Sequence, residues 1–195
     1  MKTHLRTNHM STSLSPKASA GLRVPRAAKT ASSERSTLDD VWLVILETWR
    51  AGIATGYTTM YNMQSVDRAD LVKRGAPSRI ISLISKDMDV SRDRFVSIIG
   101  LPRGTVIRRI SKDEDLSVDE SERLVGLAKL IGQVERIVKE SGNPEGFNAA
   151  KWFSEWIEQP VAALGGRKPE ELLDTSDGRE AVSRLLAQMQ SGAYA

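Results

Sequence analysis

Between Ser117 and Glu140 the chain carries a helix that is signalled at its start and along one side. Ser117 and Glu120 have the S-x-x-E spacing of a capping box. In that device the serine hydroxyl and the glutamate carboxylate satisfy backbone N–H groups that the first helical turn leaves unpaired. Behind the box, Leu124, Leu127, Ala128, Ile131, Val134 and Val138 recur at intervals of three and four. That spacing draws an apolar stripe down one face of a helix over Val118–Glu140. Such a helix cannot hide its stripe alone, so the rest of the chain must supply the elements that cover it.

Those elements also read as helices. Thr37 and Asp40 have capping-box spacing, followed by Leu38, Val41, Val44/Ile45 and Trp49, with Gly52 as a stop. The apolar run Val41–Leu46 taken alone fits a strand as well as a helix. Residues 52–64 mix Gly, Thr and Tyr without a period and read as a loop. Val66–Arg74 reads as a helix ended by Gly75. Pro77 suits a first helical turn, ahead of Ile80, Ile81, Leu83, Ile84 and Met88. Ser91 can cap a short helix through Ile99, Gly100 breaks it, and Pro102 can start another. Gly142, Asn143 and Pro144 form a break taken as a domain boundary. Beyond it follow a Trp-rich helix at 145–158, a Gly-Gly turn, a short helix from Pro169 and a last helix at 177–191. Asp177 and Glu180 have the spacing of an N-cap and its N3 partner. Ala181, Val182, Leu185, Leu186 and Met189 form the stripe of the last helix, and Gly192 is a natural C-cap. The expectation is an all-α protein: a basic tail at 1–36, a first helical domain at 37–141 and a second at 142–195.

Charge is divided unevenly. The chain is +3, but Lys2, Arg6, Lys17, Arg23, Arg26 and Lys29 give residues 1–33 a charge of +6, so residues 34–195 sum to −3. The basic balance is therefore no nucleic-acid footprint of the folded region, and any DNA contact must come from a local patch. The tail is rich in Ser, Thr and Ala and reads as disordered; an organellar transit peptide and an electrostatic arm for DNA are the alternatives. There is no cysteine, which excludes disulfides and thiolate chemistry and fits a reducing cytoplasm as the expected location. No apolar run approaches the roughly 18 residues that a membrane span needs.

Catalysis is not expected. The only histidines, His4 and His9, lie in the tail, so the folded region lacks the commonest general base and the commonest transition-metal ligands. Asp113, Glu114 and Asp115 offer carboxylates, yet consecutive acids between two helices read as a solvated connector. Gly165-Gly166-Arg167-Lys168 lacks the spacing of a phosphate loop. No cofactor and no metal are expected.

Two segments point to binding. In Arg92–Ile110, Phe95, Val96 and Ile99 would face inward on one short helix, Gly100 would turn the chain, and Leu101 and Val106 would pack a second helix across the first. This is helix-turn-helix spacing. The second helix would present Arg103, Thr105, Arg108, Arg109 and Lys112, residue types that bond phosphates and base edges. One position does not fit: a turn beyond Val106 stands Arg109, where such motifs usually carry an apolar residue, and Ile110 comes one place late. The other segment is the C-terminal one. Trp152, Phe153, Trp156 and Ile157 make a stripe expected to be core. The Gly-Gly turn, with Arg167 and Pro169 after it, is more than core packing requires. Tyr194, on a short tether after the last helix, is a candidate plug for a partner's cleft.

The chain from about Gly75 onward resembles the Xre/MbcA/ParS-type antitoxins of RES-domain toxins. The matching pieces are L-P-R-G-T-V-I-R-R (101–109), L-S-V-D-E-S-E-R-L (116–124), A-A-K-W-F (149–153), A-L-G-G-R-K-P-E-E-L-L-D-T (163–175) and G-A-Y (192–194). The resemblance implies an Xre-like helix-turn-helix domain that supports dimerisation and operator binding, followed by a toxin-binding domain. It implies as partners a RES-domain toxin that degrades NAD or transfers ADP-ribose, and operator DNA. It further implies a homodimer that forms a hetero-oligomer with the toxin. Carried over by motif, Arg103, Thr105, Arg108 and Arg109 become DNA candidates, beside Lys112 from the helix-turn-helix spacing, and Gly165, Gly166, Arg167, Tyr194 and Ala195 become toxin-contact candidates. Lys168 and Glu170 stand where the family pattern has small and apolar residues. The competing expectation is a helix-turn-helix repressor with no toxin partner.

Overall fold

The computed structural model describes residues 41–47, 55–142 and 144–191. Residues 41–47 are helical. They are followed by α1 (Thr55–Asn62), α2 (Ser65–Arg74), α3 (Ile80–Asp87), α4 (Arg92–Ile98), α5 (Arg103–Lys112), α6 (Val118–Glu140) and α7 (Ala149–Trp156). Two 3₁₀ turns, Ala162–Leu164 and Pro169–Leu172, lead to α8 (Ser176–Ser191). Among the described residues the only β pairing is a pair of isolated bridges, Pro77 with Asp115 and Val161 with Arg167. The fold is all-α, as expected.

Helix α6 is the axis of the molecule. Its capping box forms as read: Ser117 N donates to the Glu120 carboxylate at 2.7 Å and Glu120 N to the Ser117 hydroxyl at 3.3 Å. Leu124, Leu127, Ala128, Ile131 and Val134 are all buried. Around them gathers one continuous core. It takes Ile45 and Leu46 from residues 41–47, Met60 from α1, Ile80 and Ile84 from α3, Phe95 from α4, Phe153 from α7, and Val182 and Leu186 from α8. Each such fully buried side chain contributes about 1.5–3 kcal/mol relative to exposure. Helices before α6 and helices after Pro144 lean on the same α6.

The run Val41–Leu46 resolves as helix. Trp42, Ile45 and Leu46 point inward while Leu43 and Val44 stay exposed, the i, i+3, i+4 pattern of a helical face. Thr37, Leu38, Asp40 and Trp49 lie outside the described residues. Residues 52–64, expected as a loop, contain α1 instead. Its sequence, TGYTTMYN, has weak intrinsic helix propensity. It forms because Tyr57 and Met60 bury against α6, and Gly132 makes the close approach possible. A Cβ at 132 would lie 2.1 Å from the Tyr57 carbonyl oxygen.

Local caps account for most boundaries. The Ser91 hydroxyl accepts from Arg94 N at 3.1 Å and starts α4. The Asn148 side chain accepts from Lys151 N at 2.9 Å, so α7 begins at Ala149 rather than at 145. The cap of α8 is Thr175, whose hydroxyl accepts from Gly178 N at 3.1 Å, not the expected Asp177–Glu180 pair. Pro77 opens a turn ahead of α3. Leu116 N donates to Ala76 O at 2.8 Å, and Ala76 N to the buried Ser121 hydroxyl at 2.8 Å. This short splice ties the approach to α3 onto the start of α6. Among the described residues no helix is long and apolar enough to cross a membrane.

Candidate functional site

The helix-turn-helix pattern is present in space. Phe95, Val96, Ile99, Leu101 and Val106 are buried. Gly100 takes φ +64, and a Cβ there would meet the Asp174 Cβ at 2.7 Å, so the turn needs glycine for both its angle and its neighbour. The odd position, Arg109, is explained by its contacts. Its side chain is only 22 % exposed and its Nε lies 2.9 Å from the Glu120 carboxylate, an ion pair at an angle too poor for a hydrogen bond. Its Nη1 donates to Asp115 O at 2.8 Å. Arg109 thus stands in for an apolar residue by laying its stem along the protein and tying α5 to the cap of α6. Of the other candidates, Arg103 pairs with Asp93 and Arg108 with Glu114 at 3.0 Å. Thr105 is half-buried, Lys112 is exposed, and so is Ile107 beside them.

The acidic residues of the connector are engaged within the chain. Asp113 caps α5 in a left-handed conformation (φ 52), Glu114 goes to Arg108, and the Asp115 carbonyl accepts from Arg109. No group of three or more metal-ligating side chains occurs among the described residues.

The Gly-Gly segment forms a tight projecting loop. Val161 N donates to Arg167 O, and Gly166 N to Val161 O, both at 3.0 Å. Gly165 (φ +68) and Gly166 (φ +80) are both left-handed, and a Cβ on either would meet nothing within 4 Å. Glycine is required here by backbone angle alone, and the tip is open for a partner. Arg167 is exposed and pairs with Glu171 at 3.1 Å. The Lys168 backbone N–H and the Arg167 guanidinium hold the Glu171 carboxyl below its usual range.

A further hold on the loop comes from the other half of the chain. Glu158 lies before it and Glu170 after it, and Arg94 of α4 binds both, Glu158 at 2.8 Å. Glu170 N also donates to Ile157 O at 3.1 Å. The departure from the family pattern at Glu170 therefore has a structural partner in this chain. Below the loop, Pro169 and Leu173 are buried.

Sequence reasoning missed the clasp that seats α8. Arg179 is 6 % exposed. It lies across Gly126, where a Cβ would come within 2.5 Å of its Nε. It binds the Glu122 carboxylate and donates to Leu173 O at 2.9 Å. Further along α6, Gln133 and Ser183 exchange bonds: the amide donates to Ser183 O at 2.8 Å and the hydroxyl to the amide oxygen at 2.7 Å. A glycine on the apolar-striped helix is the only sequence signal for any of this. The Trp residues, expected as core, are only half-buried: Trp152 and Trp156 stack at 5.6 Å, while Phe153 and Ile157 fill the interior. Tyr194 and Ala195 lie outside the described residues.

Known proteins share both halves of this arrangement. Residues 67–129 match the family described as the antitoxin Xre-like helix-turn-helix domain. Residues 145–192 match the antitoxin Xre/MbcA/ParS C-terminal toxin-binding domain. A relative from Sphingobium sp. (strain YBL2), the Prs ADP-ribosylating antitoxin, is 41 % identical over 139 residues, spanning 71 % of this chain and 87 % of the relative.

Proposed function

The chain belongs to the Xre/MbcA/ParS antitoxins, and from that premise we propose that it neutralises a RES-domain toxin by covering the toxin's active site with its C-terminal segment. Neutralisation of this kind is competitive and asks no chemistry of the antitoxin. The observation that carries the reading is the loop at 161–167. Its base is pinned, its tip is open, and Arg167 stands exposed beside two exposed glycines. Rigid presentation of a small contact lowers the ordering cost of binding. The described part of α8 runs to Ser191, and Tyr194, three residues further along the sequence, is the residue assigned to the toxin's nucleotide cleft. The name of the Sphingobium relative supports ADP-ribose transfer over plain NAD degradation as the reaction to be blocked.

The test is inhibition of the purified toxin's NAD turnover. Removing Gly192–Ala195 should raise the inhibition constant at least tenfold while the melting temperature holds, because every core residue among the described ones is kept. Equal inhibition by the truncated chain would exclude the plug.

A second role is operator binding through α5, with autorepression as its outcome and a homodimer as the binding unit. Arg103, Thr105, Arg108 and Lys112 form its contact set; Arg109 serves it by fixing the helix. Arg108→Ala and Lys112→Ala should each lower the slope of log affinity against log salt by about 0.9 for every phosphate no longer neutralised. An unchanged slope would place the DNA contact elsewhere. A repressor without a toxin partner is the weaker alternative, because it leaves residues 145–192 without a task. The reading places the protein in the cytoplasm, with both operator and NAD.

A further inference from the structure

A groove of about 310 Å³ runs between the end of α6, the start of α7 and the last turns of α8. Its walls include Ile137, Phe147, Trp152, Leu186 and Met189. Phe147 packs against Trp152 at 6.2 Å, and Trp152 in turn stacks on Trp156. Gln190 donates to the Glu140 carboxylate at 2.8 Å and closes one rim. Trp152 is thus held from behind with one face left to the groove. Methionine and aromatic walls make an adaptable apolar slot, and Trp, Phe and Met are enriched at the buried centre of protein interfaces.

We propose that this groove receives an apolar side chain of the toxin and is an anchor point of the complex, separate from the loop at 161–167. This rests on the antitoxin reading and deepens it. Two observations assign the occupant. Among described residues of the span that matches the toxin-binding domain, Phe147 and Met189 are the exposed large hydrophobics, at 37 % each, and both line this groove. The groove also opens on the final turn of α8, directly before the residues proposed to enter the toxin's cleft. A partner engaging that segment engages residues that follow within a few positions of Met189 and Gln190, which line the groove. A desolvated apolar pocket at such a place has the character of a binding hot spot.

The experiment uses the full chain and its purified toxin. Phe147→Glu and Met189→Glu should each weaken toxin binding at least tenfold in a calorimetric titration. Val66→Glu, at a position 70 % exposed on α2, should not. Phe147→Ala and Met189→Ala should weaken it about threefold with the fold intact, which covers the case of a charged variant that fails to fold. Toxin affinity unchanged in all four groove variants overturns the proposal. So does dissociation of a homodimer by light scattering with toxin affinity intact, which would assign the groove to a second copy. So too does a shift in tryptophan emission of the toxin-free chain on deleting residues 192–195, which would assign it to the chain's own end. Absence of any toxin binding by the unaltered chain instead refutes the antitoxin reading itself, so the two failures are distinct.

Discussion

Helix α5 and the loop at 161–167 are both offered to partners, but they are built in opposite ways. On α5 the sequence displays three arginines, and all three have intramolecular acids: Arg103 with Asp93, Arg108 with Glu114, Arg109 with Glu120. On the loop the surface is mostly backbone, and the space above both glycines is empty. A DNA phosphate arriving at α5 must compete with carboxylates already in place. A toxin arriving at the loop competes with one carboxylate, that of Glu171 on Arg167, and meets open backbone at the two glycines. Charge counted along a helix therefore overstates its readiness for DNA, whereas two left-handed glycines in open space are already committed to one shape.

The largest perturbation would erase both surfaces at once. Gly132→Ala places a methyl against the Tyr57 carbonyl. Overpacking of backbone against backbone should cost about 3 kcal/mol or more, seen as a fall in melting temperature with toxin and operator binding failing together. Next, Arg179→Ala should cost about 2–3 kcal/mol, because it strands the Leu173 carbonyl and removes the stem packed on Gly126. It should unseat α8, so toxin binding fails while helix-turn-helix contacts to DNA persist, measurable on one sample by titrating each partner.

A third prediction concerns pH. Thr58 donates to Glu135 at 2.7 Å and Tyr57 to Asp87 at 2.9 Å. Burial pushes the Glu135 carboxyl up to about 7, against 4.5 for the free side chain. Between these values the folded state holds a proton that the unfolded state has released, so stability falls as pH rises from about 4.5 to 7. The loss should be on the order of 1–2 kcal/mol once solvent screening is allowed for, and Glu135→Gln should flatten it in chemical denaturation at stepped pH. Gly166→Ala should cost about 1–2 kcal/mol of local strain, since alanine is poor at φ +80. It separates the two surfaces cleanly: toxin affinity drops about tenfold and operator affinity holds. The smallest effect belongs to Arg94→Ala, which removes a partly exposed pair of ion contacts and should cost about 0.5–1 kcal/mol. Its value is in direction, because a change on the DNA side of the molecule should then reach the toxin side.

Much of this architecture is legible in the sequence. Ser117 and Glu120 locate α6 to the residue, since a capping box is a local device with local rules. Gly100 and Pro102 locate the turn for the same reason. Helix α1 is not legible because its cause sits far along the chain, at Gly132. Thr175 displaces Asp177 as the cap of α8 because the packing of Gly178 against Leu172 sets where the helix starts. The inward turn of Arg109 explains the one misfit in the helix-turn-helix pattern, yet periodicity treats arginine as surface and cannot show it. In the candidate site, the glycines of the loop are readable from type alone. The groove is not, because Trp152 and Met189 share their spacing with true core residues, and only burial separates a wall from an interior.

The single core around α6 has a practical meaning for anyone recombining these proteins. Antitoxin specificity invites cassette exchange, with the cut placed at Gly142–Pro144 where the chain is plainly interrupted. A graft made there would bring α8 without the Glu122, Gly126 and Gln133 that seat it, and would leave Val134 of the recipient beside a stranger's Leu186. A cut at Ser117 would keep α8 with its seat but part α6 from α1, whose Tyr57 and Met60 pack on it at Gly132, so specificity is better moved by changing the loop at 161–167 and the surface around it than by exchanging either half.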